Sequence, residues 1–169
     1  RFVITTSCVP ELNLVAFGLL NEVSMESVKK LAYATYANVA EMIGINDRRP
    51  QNIQLDAVLA SKPDIILLSG GTDNGANRSL TRISELIGSV LQVLPRANRP
   101  QVLYCGNSAL ADQLRQSLDR FTKVKVAQNI RPSLDREVLE PAMDELNSMV
   151  MERVYEKVGG LQRLSPLCS

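Results

Sequence analysis

Residues 69 to 77 read SGGTDNGAN and follow directly on an apolar run, PDIILL. Three glycines among small hydrogen-bonding side chains suit the close approach of backbone to a ligand, because glycine lacks the Cβ that would hold the chain away. Backbone N–H groups ahead of a following helix also favour an anion through the helix dipole. Ser69, Thr72 and Asn77 add hydrogen-bonding groups, and Gly70, Gly71, Asn74 and Gly75 complete the candidate ligand loop. Asp73 has two readings: it could hold a hydrated cation beside a phosphate, or cap the helix. A shorter junction of the same type, Gly106-Asn107-Ser108, reads as a Gly turn with Asn107 or Ser108 as N-cap. Spacing excludes two known phosphate loops. GxxxxGK[ST] needs a Lys after its last glycine, and Gly70, Gly71 and Gly75 do not fall at G-x-G-x-x-G intervals. A plain Gly-rich turn with an Asx cap stands beside the ligand-loop reading.

The rest of the chain narrows the chemistry. Histidine is absent, which removes Ser-His-Asp and Cys-His catalysis, His-ligated metals and a His ligand to a corrin metal. Cys8, Cys105 and Cys168 show no CxxC spacing, as expected of reduced thiols in a cytoplasmic protein rather than a zinc site or disulfide framework. Cys105 ends an apolar run and reads as a small core residue. Asp47-Arg48-Arg49 reads as a solvated loop, with binding of an acidic group as the alternative. Glu137, Glu140, Asp144 and Glu145 suit the dipole at a helix start, and Tyr33 and Tyr36 read as packing at a helix boundary. No catalytic residue and no metal ligand is assigned.

These groups need elements to position them. FVITT and NLVAFGLL are β-rich runs separated at Pro10. Val28, Leu31, Ala32, Thr35, Val39 and Met42 recur at steps of three and four, which predicts one helix from a Ser24 cap to Gly44. A short helix follows, with Ile53, Val58 and Leu59 inward, until Lys62-Pro63 stops it. IILLS has the continuous apolar character of a strand buried on both faces. Leu80, Ile83, Ile87, Val90, Leu91 and Leu94 predict a helix, QVLYC a second buried strand, and Leu110, Leu114, Leu118 and Phe121 a further helix. KVKVAQ reads as an edge strand, and a long helix is predicted from about Asp135. This order predicts a three-layer α/β domain with a mainly parallel central sheet flanked by helices, spanning 1–169 as a single domain.

Lys plus Arg number 19 against 18 acidic residues, so the chain lacks the basic excess that binds nucleic-acid phosphates or an anionic membrane surface. No apolar run reaches the roughly 18 to 20 residues of a membrane span. A first residue Arg1 that leads straight into a strand-like run, and a tail GGLQRLSPLCS after a helix, suggest a fragment of a longer chain.

PDIILLSGGTDNGANRSL, VLYCGNSALADQLRQSL and NIRPSLDREVLEPAMDELNSMVMERV with GLQRL resemble, in order and spacing, the glutamate mutase accessory family called MutL or GlmL. That family is unrelated to the mismatch-repair protein of the same name. VITTSCVPELNLVAFGLL is similar to its SSAAGGLRM strand region, although Cys8, Val9, Pro10 and Glu11 replace the small-residue run. The family's Gly-Gly-Thr-Asp-Gly-Gly-Asn becomes Gly-Gly-Thr-Asp-Asn-Gly-Ala-Asn here, a substitution plus one inserted residue. The resemblance implies a piece of an actin-like, sugar-kinase-type ATPase relative that assists or reactivates an adenosylcobalamin-dependent mutase. It implies ATP and Mg as cofactors of the full-length parent, whose Asp-x-Gly-Ser-type phosphate loop this chain does not carry. The domain itself is expected to be non-catalytic and to lend its Gly-rich loop to a nucleotide or partner site. Two other readings stand: a self-contained small-molecule or phosphate-binding α/β domain, and a structural or oligomerisation module such as a homodimer.

Overall fold

The computed structural model describes residues 11–18, 23–73, 75 and 78–158. The FVITT run, Pro10, Cys8, Asn74, Ala76, Asn77 and the tail with Cys168 lie outside them. In chain order the elements are β1 (Asn13–Gly18), α1 (Val23–Tyr33), β2 (Asn38–Gly44), α2 (Gln51–Ala60), β3 (Ile65–Ser69), α3 (Arg78–Val93), β4 (Gln101–Tyr104), α4 (Ala111–Leu118), β5 (Val124–Val126) and α5 (Glu140–Lys157). The strands form one parallel sheet in the order β2-β1-β3-β4-β5, the doubly wound order of flavodoxin-like folds.

Side-chain alternation divides the core in two. Val15, Phe17, Ile66, Leu68, Val102 and Tyr104 meet residues of α2, α3 and α4 on one face. Leu14, Ala16, Ile65, Leu67, Leu103 and Cys105 meet α1 and α5 on the other. All five residues of β3 are buried, as the continuous run Ile65–Leu68 requires of a strand covered on both faces. On α3, Ile83, Leu86, Ile87, Val90 and Leu91 turn inward, following the three-and-four spacing. The three-layer α/β architecture is therefore present, with β5 at the sheet edge as its alternating lysines suggest.

Five local expectations are corrected. The single helix from Ser24 to Gly44 is two elements: α1 ends at Tyr33, and Asn38–Gly44 is the parallel strand β2. Thr35 turns the chain by donating from both N and Oγ to the Ala32 carbonyl, at 3.3 and 2.9 Å. Asn38 N then donates to the Leu12 carbonyl at 2.7 Å. Sheet pairing thus overrides the helix-forming Ala, Glu and Met of this stretch. Ser24 lies inside α1 rather than at its cap, and Tyr33 and Tyr36, 68% and 94% exposed, lie largely in solvent rather than packed at a helix boundary. On α2, Ile53 faces outward and Gln54 inward beside Val58, because the Gln54 amide donates to the Asp47 and Arg49 carbonyls. Finally, α5 starts at Glu140, not Asp135, with Pro141 in its first turn, where a missing N–H costs nothing.

α5 covers its half of the sheet with Ala142, Leu146, Met149, Val150 and Val154. Leu146→Ala, at a fully buried position, is expected to cost about 2 to 5 kcal/mol. Met151→Ala, five residues on and 46% exposed, should stay within about 0.5 kcal/mol of the parent. Urea unfolding of both variants checks the helix register.

Candidate functional site

The carboxyl ends of β3, β4 and β5 bring the two glycine junctions side by side. After Ser69 the chain turns through Gly70 and Gly71, at φ 147° and 76°, backbone conformations that favour glycine. Beyond β4 the sheet ladder continues: Cys105 N donates to the Leu68 carbonyl at 2.9 Å, and Asn107 N to the Gly70 carbonyl at 3.1 Å. Gly106 lies between those donors. A Cβ there would sit 2.6 Å from the Gly70 oxygen, 2.9 Å from the Gly70 nitrogen and 2.9 Å from the Tyr104 ring. Backbone, not a flexible side chain, fills that space, so only glycine allows the two loops to approach this closely.

Asp73 ties the junctions together. Its Oδ1 accepts from Ser108 N, Ser108 Oγ and Asn129 Nδ2, each at 3.0 Å, while its own N–H donates to the Pro132 carbonyl at 3.1 Å. The carboxylate thus caps the Ser108–Leu110 3-10 turn that precedes α4. Asn107 is the N-cap residue of that same turn, its side chain accepting from Ala109 N at 3.0 Å. Asn129 also donates to the Gly71 carbonyl at 3.0 Å. Asn107 further donates to the Gly75 carbonyl at a long 3.5 Å, and Gly75 N closes a turn on the Thr72 carbonyl at 2.8 Å.

Ser69 is fully buried and donates to the Cys105 carbonyl at 3.3 Å. Tyr104 donates its hydroxyl to the Asn107 carbonyl at 2.8 Å, and burial raises its pKa. Burial likewise pushes the Cys105 thiol up to about 12, which keeps it protonated and without nucleophilic character. The Asp73 carboxyl is held below the ordinary carboxylate value, first by the Ser108 N–H, with the Asn129 amide and Ser108 hydroxyl adding to it against the opposing effect of burial.

Of the candidate ligand residues, Ser69, Gly70, Gly71, Thr72, Asp73, Gly75, Gly106, Asn107 and Ser108 are brought together; Asn74 and Asn77 lie outside the described residues. Among the described residues, the donors and acceptors of the two junctions point largely at one another. A negative charge already occupies the donor set of Ser108, so a second anion placed there meets like-charge repulsion. Among the described residues, no group of three or more Cys, Asp or Glu side chains gathers as metal ligands do, and no helix is long and apolar enough to cross a membrane.

Sequence reasoning missed Asn129 and Arg131. Asn129 follows β5 as Asn107 follows β4, so its place just past a strand was the available signal. Glu137, expected to serve the α5 dipole, precedes that helix and instead accepts from Ser27, Lys30 and Arg131. Arg49 is not simply solvated: it pairs with Asp47 and Glu41 at 2.5 and 3.1 Å.

Two predictions follow from this geometry. Gly106→Ala should lose about 1 to 3 kcal/mol through overpacking. Gly88→Ala, within α3 and with open space around the new Cβ, should gain up to about 1 kcal/mol. Thermal unfolding of the pair tests the contact. Asp73→Asn should cost about 1 to 3 kcal/mol at neutral pH. Because the folded-state pKa of Asp73 is depressed, its ionised form stabilises the fold above the unfolded value of 3.8. That contribution is lost as pH falls through the folded value. Denaturant midpoints for parent and variant should therefore draw together below about pH 4.

Comparison with known proteins places these features in a family. The model of the family described as MutL protein matches residues 1–169. A curated relative, Protein MutL of Clostridium tetanomorphum, is 26% identical over 149 residues, covering 88% of this chain and 30% of the relative. The chain thus spans about a third of that relative's length. With the family model matched along its whole length, the chain belongs to the MutL protein family.

Proposed function

We propose that this chain is a single non-catalytic domain of a longer, cytoplasmic MutL protein, and that its carboxyl edge is a preformed docking platform. The occupant is either another part of the same protein or an adenosylcobalamin-dependent mutase that the protein assists or reactivates. One observation carries the reading: three donors converge on Asp73 Oδ1 and brace the β3, β4 and β5 loops against one another. A loop shaped by its own hydrogen bonds presents a fixed surface at little ordering cost, which favours recognition by a partner. The same engagement leaves this pair of junctions poorly suited to phosphate. ATP hydrolysis, where the parent protein performs it, is then assigned to residues outside this chain, with Mg held there too.

A second reading draws on the strand order. The direction of winding reverses between β1 and β3, and open α/β sheets collect small ligands at the carboxyl ends beside such a switch point. Gly18, at the end of β1, pairs with Ser69 of β3 there.

Mg-ATP turnover and mutase binding test the first reading. The purified chain should hydrolyse ATP no faster than its buffer, and Asp73→Ala should weaken sedimentation with a glutamate mutase by tenfold or about 1.4 kcal/mol. Mg-dependent turnover that vanishes in Asp73→Ala would overturn it. For the second, thermal shifts with inorganic phosphate, nucleotides and cobalamins discriminate. A ligand at about 100 times its Kd stabilises by roughly 2.7 kcal/mol, whereas a flat response across the series removes that reading.

A further inference from the structure

Two hydrogen-bonded groups on the carboxyl edge share one residue. Asn129 donates from Nδ2 to Asp73 and to the Gly71 carbonyl, and its Oδ1 accepts from the Arg131 N–H at 3.0 Å. Arg131 in turn donates from Nε to Ser27 Oγ at 2.8 Å and from Nη2 to Glu137 at 3.2 Å. Ser27, fully buried on α1, donates to the same Glu137 oxygen at 2.5 Å. Lys30, on the same helix, holds the second Glu137 oxygen at 3.0 Å. These contacts form an unbroken path from the Gly-rich loop to the helix that carries the chain from β1 across to β2.

The shared residue makes the path mechanically strict. Asn129 is 3% exposed, so an amide group that leaves its partners finds little water to replace them. Its amide is also planar and rigid: turning Nδ2 away from Asp73 and Gly71 withdraws Oδ1 from the Arg131 N–H. Moving the Arg131 backbone in turn displaces the guanidinium from Ser27 and Glu137. We propose that Asp73, Asn129, Arg131 and Ser27 form a conformational relay, in which release of the Asp73 cap loosens α1 and fixing of α1 tightens the Gly-rich loop. A partner engaging either end then changes the other. Such coupling is a reciprocal free energy between two places in the fold.

A double-mutant cycle with Asp73→Asn and Ser27→Ala reads the coupling from unfolding equilibrium constants. The double variant should depart from the product of the single effects by at least about fivefold, while Asp73→Asn combined with Ser89→Ala on α3 should stay within about twofold. Independence of Asp73 and Ser27 within about twofold overturns the relay. Native-state hydrogen exchange on the unmodified protein decides the matter without any variant. The Ser108 and Arg131 amides should open together with those of α1, with protection factors within about threefold and one denaturant dependence, as members of a single cooperative unit do. Openings separated by more than about tenfold, with distinct denaturant slopes, overturn it.

Discussion

The close approach of Gly70 and Gly106 governs the carboxyl edge. Parallel strands β3 and β4 would ordinarily diverge into separate loops once their ladder ends. Here the ladder runs on through Cys105 N to Leu68 and Asn107 N to Gly70, and the absence of a Cβ at Gly106 permits it. That spacing puts Ser108 within reach of the Asp73 carboxylate. Asn129, arriving from β5, reaches the same oxygen. Without the two glycines the later contacts have no common meeting place.

An apolar strand followed by glycine and small polar residues is a signature shared by ligand loops and by loops that merely fold well. Direction of the side chains separates them. Ser69, Asn107 and Asn129 are buried and face other protein groups. The edge is therefore polar in composition but inward-looking in its bonding. Its electrostatics follow suit, since N–H and O–H dipoles of Ser108 and Asn129 hold the Asp73 carboxyl below its ordinary value.

Much of this was legible in the residues. Ile65–Leu68 is too long an apolar run for a half-exposed strand, so burial on both faces and the parallel sheet followed from it. The α3 stripe was equally plain. β2 was not, because an edge strand half covered by its neighbours shows weak alternation, and Val39 and Met42 happen to continue the spacing of α1. Its identity rests on pairing with β1, whose register begins at Asn13 and Asn38. The start of α5 was obscured for a related reason: Glu137 suits a helix N-terminus locally, yet Ser27, Lys30 and Arg131 hold it outside. In the site, the polar loop residues were visible from composition, but the bond from Ser108 to Asp73 joins residues 35 positions apart, which no local pattern displays.

The cross-ties also mark where this loop can vary in length. Gly70, Gly71 and Asp73 each bond to a different neighbouring segment, through Asn107, Asn129 and Pro132 respectively, so an added residue among them would shift every later partner out of reach. The Asn74–Asn77 stretch, where the resemblance places an inserted residue, falls downstream of Asp73. Beyond Asp73, among the described residues, this loop meets the β4 loop through the long 3.5 Å contact from Asn107 to the Gly75 carbonyl. A reporter peptide grafted after Asp73 would accordingly leave the ties of Gly70, Gly71 and Asp73 in register, whereas the same graft between Gly70 and Gly71 would carry Gly71 and Asp73 away from Asn129 and Pro132.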